Sequence, residues 1–280
     1  MLAGSQKFIN FATLNVKWKT QPENTMDKIS ATIITRNEEN NLERCLNALN
    51  GVADEIIVVD SYSTDRTLDV CKRYGCKVTQ REFQGFGSQR QYATGLAENV
   101  YILSIDADEV IDEEMRDYLI KAKEEGFRHR VYRAWIQNYF CGKPIRHSGF
   151  EPVAQVRLFN KRYANWNLRD YSDKVSFPDS VIPATLPGTI HHYRCASMSE
   201  FHKKENRLAS LQAKSLAVGH RSIWAPTPFL QAALKYLQSQ VVDLAWLDGS
   251  NGISIAGRRS RTTYEAYRMA RDIIKEQKKR

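Results

Sequence analysis

The sequence predicts an α/β fold built on a Rossmann-like sheet. In the first half of the chain, short apolar segments alternate with helical patterns, as expected for parallel strands joined by helices. Polar residues directly follow three of these segments, at the positions where parallel strands would end. Later segments are longer, with alternating aromatic residues typical of antiparallel strands. We therefore expect a mixed sheet flanked by helices.

Four strands are predicted in the first half of the chain. They cover residues 26–35, 55–59, 76–79 and 101–105. β-Branched and other apolar residues dominate these segments, as in strands buried on both faces. Helices are expected between them, because apolar residues recur there at helical spacing, for example Leu42, Cys45, Leu46 and Leu49.

The second half is predicted to add antiparallel strands and then helices. A helix at about 112–125 precedes alternating segments at 130–140 and 155–160, which we expect to join the sheet. The chain is predicted to be helical from Ser199 onward, with a break at Pro226 and Pro228. A turn at 248–252 should precede a final basic helix.

An apolar stripe follows the two prolines. Its residues recur at helical spacing and are Leu230, Leu234, Leu237, Val241 and Leu244. Two explanations fit this pattern. The helix packs on the sheet domain, or its apolar face lies on a membrane surface.

Three regions follow from these patterns. They are an N-terminal arm at 1–27, an α/β domain at 28–197 and a helical C-terminal region at 198–280. The arm has no clear core pattern, and Met26 is an alternative start of the chain.

Composition places the protein in a reducing compartment. The 280 residues include five cysteines, an odd number without a C-x-x-C pair, which argues against a zinc site or a disulfide framework. The sequence shows no signal peptide and no apolar run as long as a membrane span, so we expect a cytoplasmic protein. The net charge is +9, and residues 258–280 carry nine Lys or Arg and three acidic residues. This basic segment suits nucleic acid, anionic lipid head groups or phosphorylated substrates.

Three acidic residues end the fourth predicted strand, at Asp106, Asp108 and Glu109. Carboxylates at a strand end are poorly solvated unless a cation neutralises them, and a divalent cation with a nucleotide diphosphate fits this role. A helix cap is the simpler explanation. The neighbouring strand ends carry Arg36-Asn37-Glu38 and Asp60, so the three ends should converge on one nucleotide site. The glycine patterns of dinucleotide-binding enzymes and P-loop ATPases are absent from the sequence.

Four motifs resemble family 2 glycosyltransferases of the GT-A fold, in the family's order. They are Ile33-Ile-Thr-Arg-Asn-Glu-Glu39, Ile56-Ile-Val-Val-Asp-Ser61 with Thr64-Asp65, Phe86-Gly-Ser-Gln-Arg90 and Leu103-Ser-Ile-Asp-Ala-Asp-Glu109. The resemblance runs from about residue 28 to 274 and is greatest to small bacterial enzymes that add a sugar, such as β-1,4-linked glucose, to the lipopolysaccharide inner core. It implies a nucleotide-sugar donor and a phosphorylated or lipid-linked glycan acceptor. Peripheral contact with the inner membrane face is a separate expectation, which follows from the apolar stripe.

The resemblance also implies roles for individual residues. Arg36, Asn37, Glu38 and Asp60 would hold the base and the ribose. Asp106 and Asp108 match the metal-binding pair for Mg²⁺ or Mn²⁺, with Asp108 as the direct ligand. His192, placed just after a strand, would complete the metal or diphosphate site. Arg90 would lie near the donor sugar and phosphates. Independently of the resemblance, Lys203, Lys204 and the basic final helix are expected to bind acceptor phosphates.

The expected catalytic base is Asp173. Relatives often carry a His-Glu pair where this chain has Ser172-Asp173, so the carboxylate is kept but is one methylene shorter. Asp170 and Glu151 are the other candidates.

Three other functions were considered. A nucleotidyltransferase should have a glycine-rich basic loop after the first strand, and Arg36-Asn-Glu-Glu39 does not match one. A basic nucleic-acid-binding or anionic-surface protein fits the pI of about 9.3. No helix-turn-helix, OB or RRM pattern appears, so we expect no nucleic-acid partner. The altered Ser172-Asp173 pair also leaves open a non-catalytic family member.

Overall fold

A computed structural model describes residues 26–167, 174–220 and 222–278. Within them the strands are β1 (Ile29–Thr35), β2 (Glu55–Asp60), β3 (Lys77–Gln80), β4 (Tyr101–Asp106), β5 (Glu109–Ile111), β6 (Val131–Phe140), β7 (Lys143–Pro144), β8 (Val153–Asn160), β9 (Asn165–Trp166), β10 (Val175–Ser176) and β11 (Ala184–Cys195). The α-helices are α1 (Leu42–Ala48), α2 (Thr67–Arg73), α3 (Phe86–Leu96), α4 (Glu113–Glu125), α5 (Met198–Gly219), α6 (Thr227–Val241) and α7 (Gly249–Gln277), and a 3-10 helix covers Ala245–Asp248.

The main sheet is mixed, as the sequence predicts. Its strand order is β3-β2-β1-β4-β8-β6-β11-β5, with β7 paired to β6. The strands from β3 to β4 are parallel, and β8 adds antiparallel pairing to both β4 and β6. This arrangement confirms the expected GT-A fold class. The parallel Rossmann-like half is extended by a mixed half, in which β11 pairs parallel with β6 and antiparallel with β5.

The parallel half forms around β1, β2 and β4, which are buried on both faces along most of their length. Ile29, Ala31 and Ile33 of β1 have no solvent exposure, and Leu42 and Leu46 of α1 belong to the same core cluster. Strands buried on both faces need continuous apolar segments, which is the pattern seen in the sequence. Helix α4 starts where Asp112 caps it, since the carboxylate accepts a hydrogen bond from the Met115 amide at 2.9 Å.

Strand β11 differs from the sequence-based expectation. His192 lies within β11, whereas the sequence places it just after a strand. Pro187 and Gly188 interrupt the pattern, and the register of β11 against β6 shifts between Thr185 and Thr189. The strand persists through this irregularity because it pairs with β6 on one side and β5 on the other.

The final helix also begins earlier than expected. The sequence pattern at 248–252 predicts a turn, but α7 starts at Gly249, directly after the 3-10 helix. Gly252 permits this packing, because a Cβ there would lie 1.8 Å from the carbonyl oxygen of Ala245. Any side chain at this position would push the two helices apart.

Packing on the sheet domain does not account for the apolar stripe. Helix α6 packs on α7, and the stripe residues Leu230, Leu234, Leu237, Val241 and Leu244 are exposed. The buried residues of α6 are Pro228, Ala232 and Ser239, which are small or lack a long side chain. None of the helices in the described residues is both long enough and apolar enough to cross a membrane.

Candidate active site

The candidate site lies where β1, β2 and β4 end. The register pairs Thr35 with Asp60 and Ile34 with Asp106, so the polar residues that follow these strands share one edge of the sheet. This is the edge at which open α/β sheets bind ligands. The predicted convergence of the three strand ends is therefore present in the structure.

Asp60 organises the loop that follows β2. Its buried carboxylate accepts hydrogen bonds from the Ser63 amide at 2.9 Å and from Gln80 Nε2 at 3.0 Å, and also from the Ser63 hydroxyl. Asn37 ties this loop to the end of β1, because its Oδ1 accepts from the Thr64 amide at 2.8 Å. Asn37 has a φ of 57°, a left-handed conformation that asparagine tolerates better than most residues. Arg36 stays exposed at the mouth of this loop pair.

Asp106 lies between two guanidinium groups. Arg90 Nη2 is 2.6 Å from Oδ1 of Asp106, and Arg157 Nη2 is 3.9 Å from Oδ2. Burial would raise the pKa of Asp106, but Arg90 and Arg157 hold it below its ordinary value. Asp106 is therefore ionised and already neutralised by protein groups. Arg90, predicted to lie near the donor phosphates, is placed against this carboxylate.

Glu109 and Arg157 form a buried pair under the site. Arg157 Nη2 lies 2.5 Å from Oε1 of Glu109, and the other oxygen of Glu109 accepts from the Asp106 amide at 2.9 Å. Burial raises the pKa of Glu109 despite the neighbouring Arg157. The pair fixes the backbone at Asp106 and so sets the direction of the acidic strand end.

Asp108 and His192 come together through strand pairing. The antiparallel register of β5 and β11 places His192 opposite Glu109, and the Tyr193 amide donates to the carbonyl of Asp108 at 2.9 Å. His192 Nε2 is consequently 3.2 Å from Oδ1 of Asp108. Burial would raise the pKa of Asp108, but His192, Lys204 and Arg194 lower it well below its usual range.

Lys204 of α5 reaches into the same space. Its Nζ lies 3.5 Å from Oδ2 of Asp108, 3.7 Å from Oε1 of Glu38 and 3.1 Å from Oε1 of Glu200. Burial would lower the pKa of Lys204, but these three carboxylates raise it, so the side chain is a cation at neutral pH. Lys204 thus links the end of β1 to the end of β4.

A divalent cation fits the pair Asp108 and His192. Carboxylate oxygen and imidazole nitrogen are both ligands for Mn²⁺, and Mg²⁺ takes few protein ligands alongside substrate phosphates. In the part of the chain that the structure describes, no group of three or more His, Cys, Asp or Glu residues is arranged to hold a metal. The remaining ligands would therefore come from a diphosphate and water. Lys204 Nζ lies 3.5 Å from the same carboxylate, so one positively charged group of the protein already contacts Asp108.

Of the three base candidates, Glu151 is the one that lies in the described part of the chain. Asp173 and Asp170 lie outside the described residues. Glu151 is exposed, and its Oε1 accepts a hydrogen bond from the Gly149 amide at 3.0 Å. The neighbouring Phe150 lies under Arg194, with the guanidinium carbon 4.6 Å from the ring centroid. Asp173, Asp170 and Glu151 stay predictions.

The sequence did not predict the roles of Glu109 and Arg157 in the site, nor the position of Lys204. Glu109 was recognised only as part of the acidic run, and Arg157 only as part of an alternating strand. An arginine between Val156 and Leu158 on a strand entering the sheet was the available signal, since a buried charge needs a partner. Lys204 was expected at acceptor phosphates, whereas the structure places it beside Asp108.

Comparisons with known proteins identify the family of this chain. The model of glycosyl transferase family 2 matches residues 30–177, the segment that contains β1 to β10 almost entirely. An uncharacterized glycosyltransferase of Rickettsia felis is 35% identical over 202 residues, covering 68% of this chain and 71% of the relative. The lipopolysaccharide core biosynthesis glycosyltransferase LpsC of Rhizobium meliloti is 28% identical, covering 66% of this chain and 70% of its own. Among solved structures, S. aureus TarS with UDP-GlcNAc overlaps 40% of this chain and 34% of its own, at 25% identity and a TM-score of 0.30, so that likeness is confined to part of each chain. The match to the family model and the Rickettsia relative show that this chain belongs to glycosyl transferase family 2 and is a glycosyltransferase.

Proposed function

We propose that this glycosyltransferase transfers a sugar such as glucose from a nucleotide-sugar donor to a cell-envelope glycan of the lipopolysaccharide-core type, with inversion at the anomeric carbon. The observation that carries the proposal is the position of Asp108, 3.2 Å from His192 and 3.5 Å from Lys204 at the ligand-binding edge of the sheet. The similarity to LpsC, a lipopolysaccharide core biosynthesis glycosyltransferase, supports the choice of acceptor class.

The nucleoside of the donor is assigned to the loops after β1 and β2. The hydrogen bonds from Ser63 to Asp60 and from Thr64 to Asn37 fix the two loops against each other. Loops held in this way present backbone groups and the side chains of Arg36 and Glu38 to a base and a ribose without further ordering. Preorganisation of this kind reduces the entropic cost of binding.

The diphosphate is assigned to Asp108, His192 and Lys204. Asp108 and His192 would hold Mg²⁺ or Mn²⁺, which when bound would offset the negative charge on the leaving nucleoside diphosphate. Lys204 adds a second positive charge at the same place, and its raised pKa keeps it protonated. Arg90 and Arg157 meanwhile neutralise Asp106, which reduces the repulsion between this carboxylate and an anionic diphosphate.

The transfer itself is a single displacement. The acceptor hydroxyl oxygen forms a bond to the anomeric carbon on the face opposite the diphosphate, and the bond from that carbon to the diphosphate oxygen breaks. The hydroxyl proton passes to a carboxylate, for which Asp173 is proposed, provided it lies within about 3 Å of the hydroxyl. One displacement inverts the anomeric configuration and needs no covalent enzyme intermediate.

A donor panel tests the function directly. Purified protein incubated with several nucleotide sugars and Mn²⁺ or Mg²⁺ is expected to release nucleoside diphosphate from one donor. A chelator should lower this release by about a hundredfold or more, because the metal supplies several kcal/mol of charge stabilisation. Calorimetry of donor binding in parallel separates a strict acceptor requirement from absence of a donor site. A protein that binds no donor of the panel and releases no nucleoside diphosphate from any of them would contradict the proposal.

Conservative substitutions test the base. Asp173→Asn removes the proton acceptor at nearly constant volume and is expected to lower acceptor-dependent turnover by about 10²–10⁴-fold. Asp170→Asn and Glu151→Gln are the matched variants, expected to stay within a few-fold of the parent. Product analysis by mass spectrometry measures all three. If Asp173→Asn keeps the parent rate and one of the other two loses it, the base is reassigned to that residue.

A further inference from the structure

The helical C-terminal region carries an unusual surface around α6. Between residues 229 and 247 the structure has eleven exposed positions, and all except Gln238 are apolar or aromatic. The side chains of Phe229, Leu230, Leu234, Leu237, Val241 and Trp246 are each 48% to 70% exposed. Soluble monomers rarely expose a continuous apolar patch larger than a few hundred Å². We define this surface, residues 229–247, as the apolar face.

We propose that the apolar face docks on an anionic lipid bilayer, with α6 lying in the plane of the interface. Leu230, Leu234, Leu237 and Val241 lie on one side of α6, at spacings of three and four residues. A helix with such a row buries it at the boundary between head groups and acyl chains. Trp246 and Trp224, 57% and 71% exposed, mark the two ends of the row. Tryptophan is favoured at this depth of a membrane.

Charge around the apolar face is suited to anionic head groups. Asp243, the only acid within it, is partly buried, with its carboxylate 3.4 Å from Ser239 Oγ. The carboxylate of Asp248, just beyond the face, accepts the backbone amides of Arg146 and His147 at 3.1 and 3.0 Å. Its negative charge is therefore engaged within the protein.

Cations flank both ends of the apolar face. The exposed side chain of Arg146 lies on the loop held by Asp248, next to the Trp246 end. At the other end, Arg271 Nη1 donates to the carbonyl of Ala225 at 3.1 Å, beside Trp224. Each such cation near an anionic membrane surface strengthens binding by about fivefold.

The same charges disfavour a second copy as the occupant. Two chains meeting symmetrically through α6 would bring cations of one copy against cations of the other, whichever way the helices run. The face offers no exposed carboxylate between these cations, among the residues that the structure describes, to offset the repulsion. An anionic bilayer supplies that negative charge.

Docking would place the membrane next to the active site. Ser148 donates from its amide to the carbonyl of Asp243 at 2.8 Å, which joins the loop carrying Phe150 to the apolar face. Phe150 contacts Arg194, whose carbonyl accepts from Lys204 Nζ at 2.8 Å. A lipid-linked acceptor would then enter beside Lys204. This last step rests on the proposed function, whereas the docking itself does not.

Vesicle flotation with the full chain tests the proposal. The protein is expected to float with phosphatidylcholine vesicles that contain phosphatidylglycerol and to bind pure phosphatidylcholine much more weakly. The double variant Leu234→Glu with Leu237→Glu should lower binding by about tenfold or more, since two apolar contacts are lost. Ile182→Glu is the matched control, because Ile182 is 84% exposed outside the apolar face, and it should bind like the parent. Arg146→Ala should lower binding about fivefold.

Three outcomes would overturn the proposal. The first is a parent protein that stays unbound with both vesicle types. The second is a double glutamate variant that binds like the parent, which would make the interaction purely electrostatic. The third is a dimer in analytical ultracentrifugation that the double variant dissolves, which would make a second copy the occupant. Flotation needs no donor and donor release needs no lipid, so this proposal and the proposed function fail separately.

Discussion

Asp108→Asn is expected to lower glycosyl transfer by about a thousandfold, or ~4 kcal/mol of transition-state stabilisation. The carboxylate of Asp108 is the acidic group closest to His192 and Lys204 at the strand ends, and its pKa is held well below its usual range by these neighbours. The amide keeps the size of the side chain but removes the negative charge that would hold a divalent cation. Rates of nucleoside diphosphate release at saturating donor and metal measure the effect.

The control for Asp108→Asn is Asp117→Asn, the same chemical change at an exposed position of α4. It should leave turnover within a few-fold of the parent. Circular dichroism and a melting curve of each variant separate loss of chemistry from loss of fold. Transfer by Asp108→Asn at a tenth of the parent rate or faster would remove Asp108 from the proposed metal site.

Arg157→Met is expected to lower the free energy of unfolding by about 3–5 kcal/mol. In the parent protein Arg157 Nη2 lies 2.5 Å from Oε1 of Glu109, which has no solvent exposure. Without Arg157, Glu109 would keep a buried charge that has lost its partner. Burial would lower the pKa of Arg157, but Glu109 and Asp106 raise it, so Arg157 is a cation beside Glu109. Equilibrium unfolding in urea, followed by fluorescence, measures the change.

A double-mutant cycle separates the pair from its surroundings. Arg157→Met combined with Glu109→Gln removes both charges while the glutamine oxygen can still accept from the Asp106 amide. The double variant should therefore recover most of the stability lost in the single one. Arg128→Met is the matched control, because Arg128 is 84% exposed and lies 3.9 Å from Glu125, a surface pair worth less than about 1 kcal/mol. Equal losses in Arg157→Met and Arg128→Met would refute the structural role of the pair.

Local patterns in the sequence were sufficient for the parallel half of the fold. The segments that became β1 to β4 are short, apolar and separated by helical periodicity, so each could be recognised without knowing its neighbours. Because parallel strands end on one edge, the meeting of Asn37, Asp60 and Asp106 followed from topology alone. The full length of strand β11 was not predicted, because Pro187 and Gly188 interrupt its sequence pattern. Pairing with β5 and β6 keeps the strand extended.

The sequence by itself determined the fold class, the family and the edge of the sheet where ligands bind. The tertiary structure decided what each charged group meets there. Arg157 lies 48 residues after Glu109 in the chain, yet the two form the buried pair beneath Asp106. The tertiary structure also decided that the apolar stripe on α6 is exposed. Periodicity in the sequence shows that a helix has an apolar side, but it does not show whether another part of the protein covers that side. Pair contacts and exposure depend on which distant segments pack together, and no local pattern contains that information.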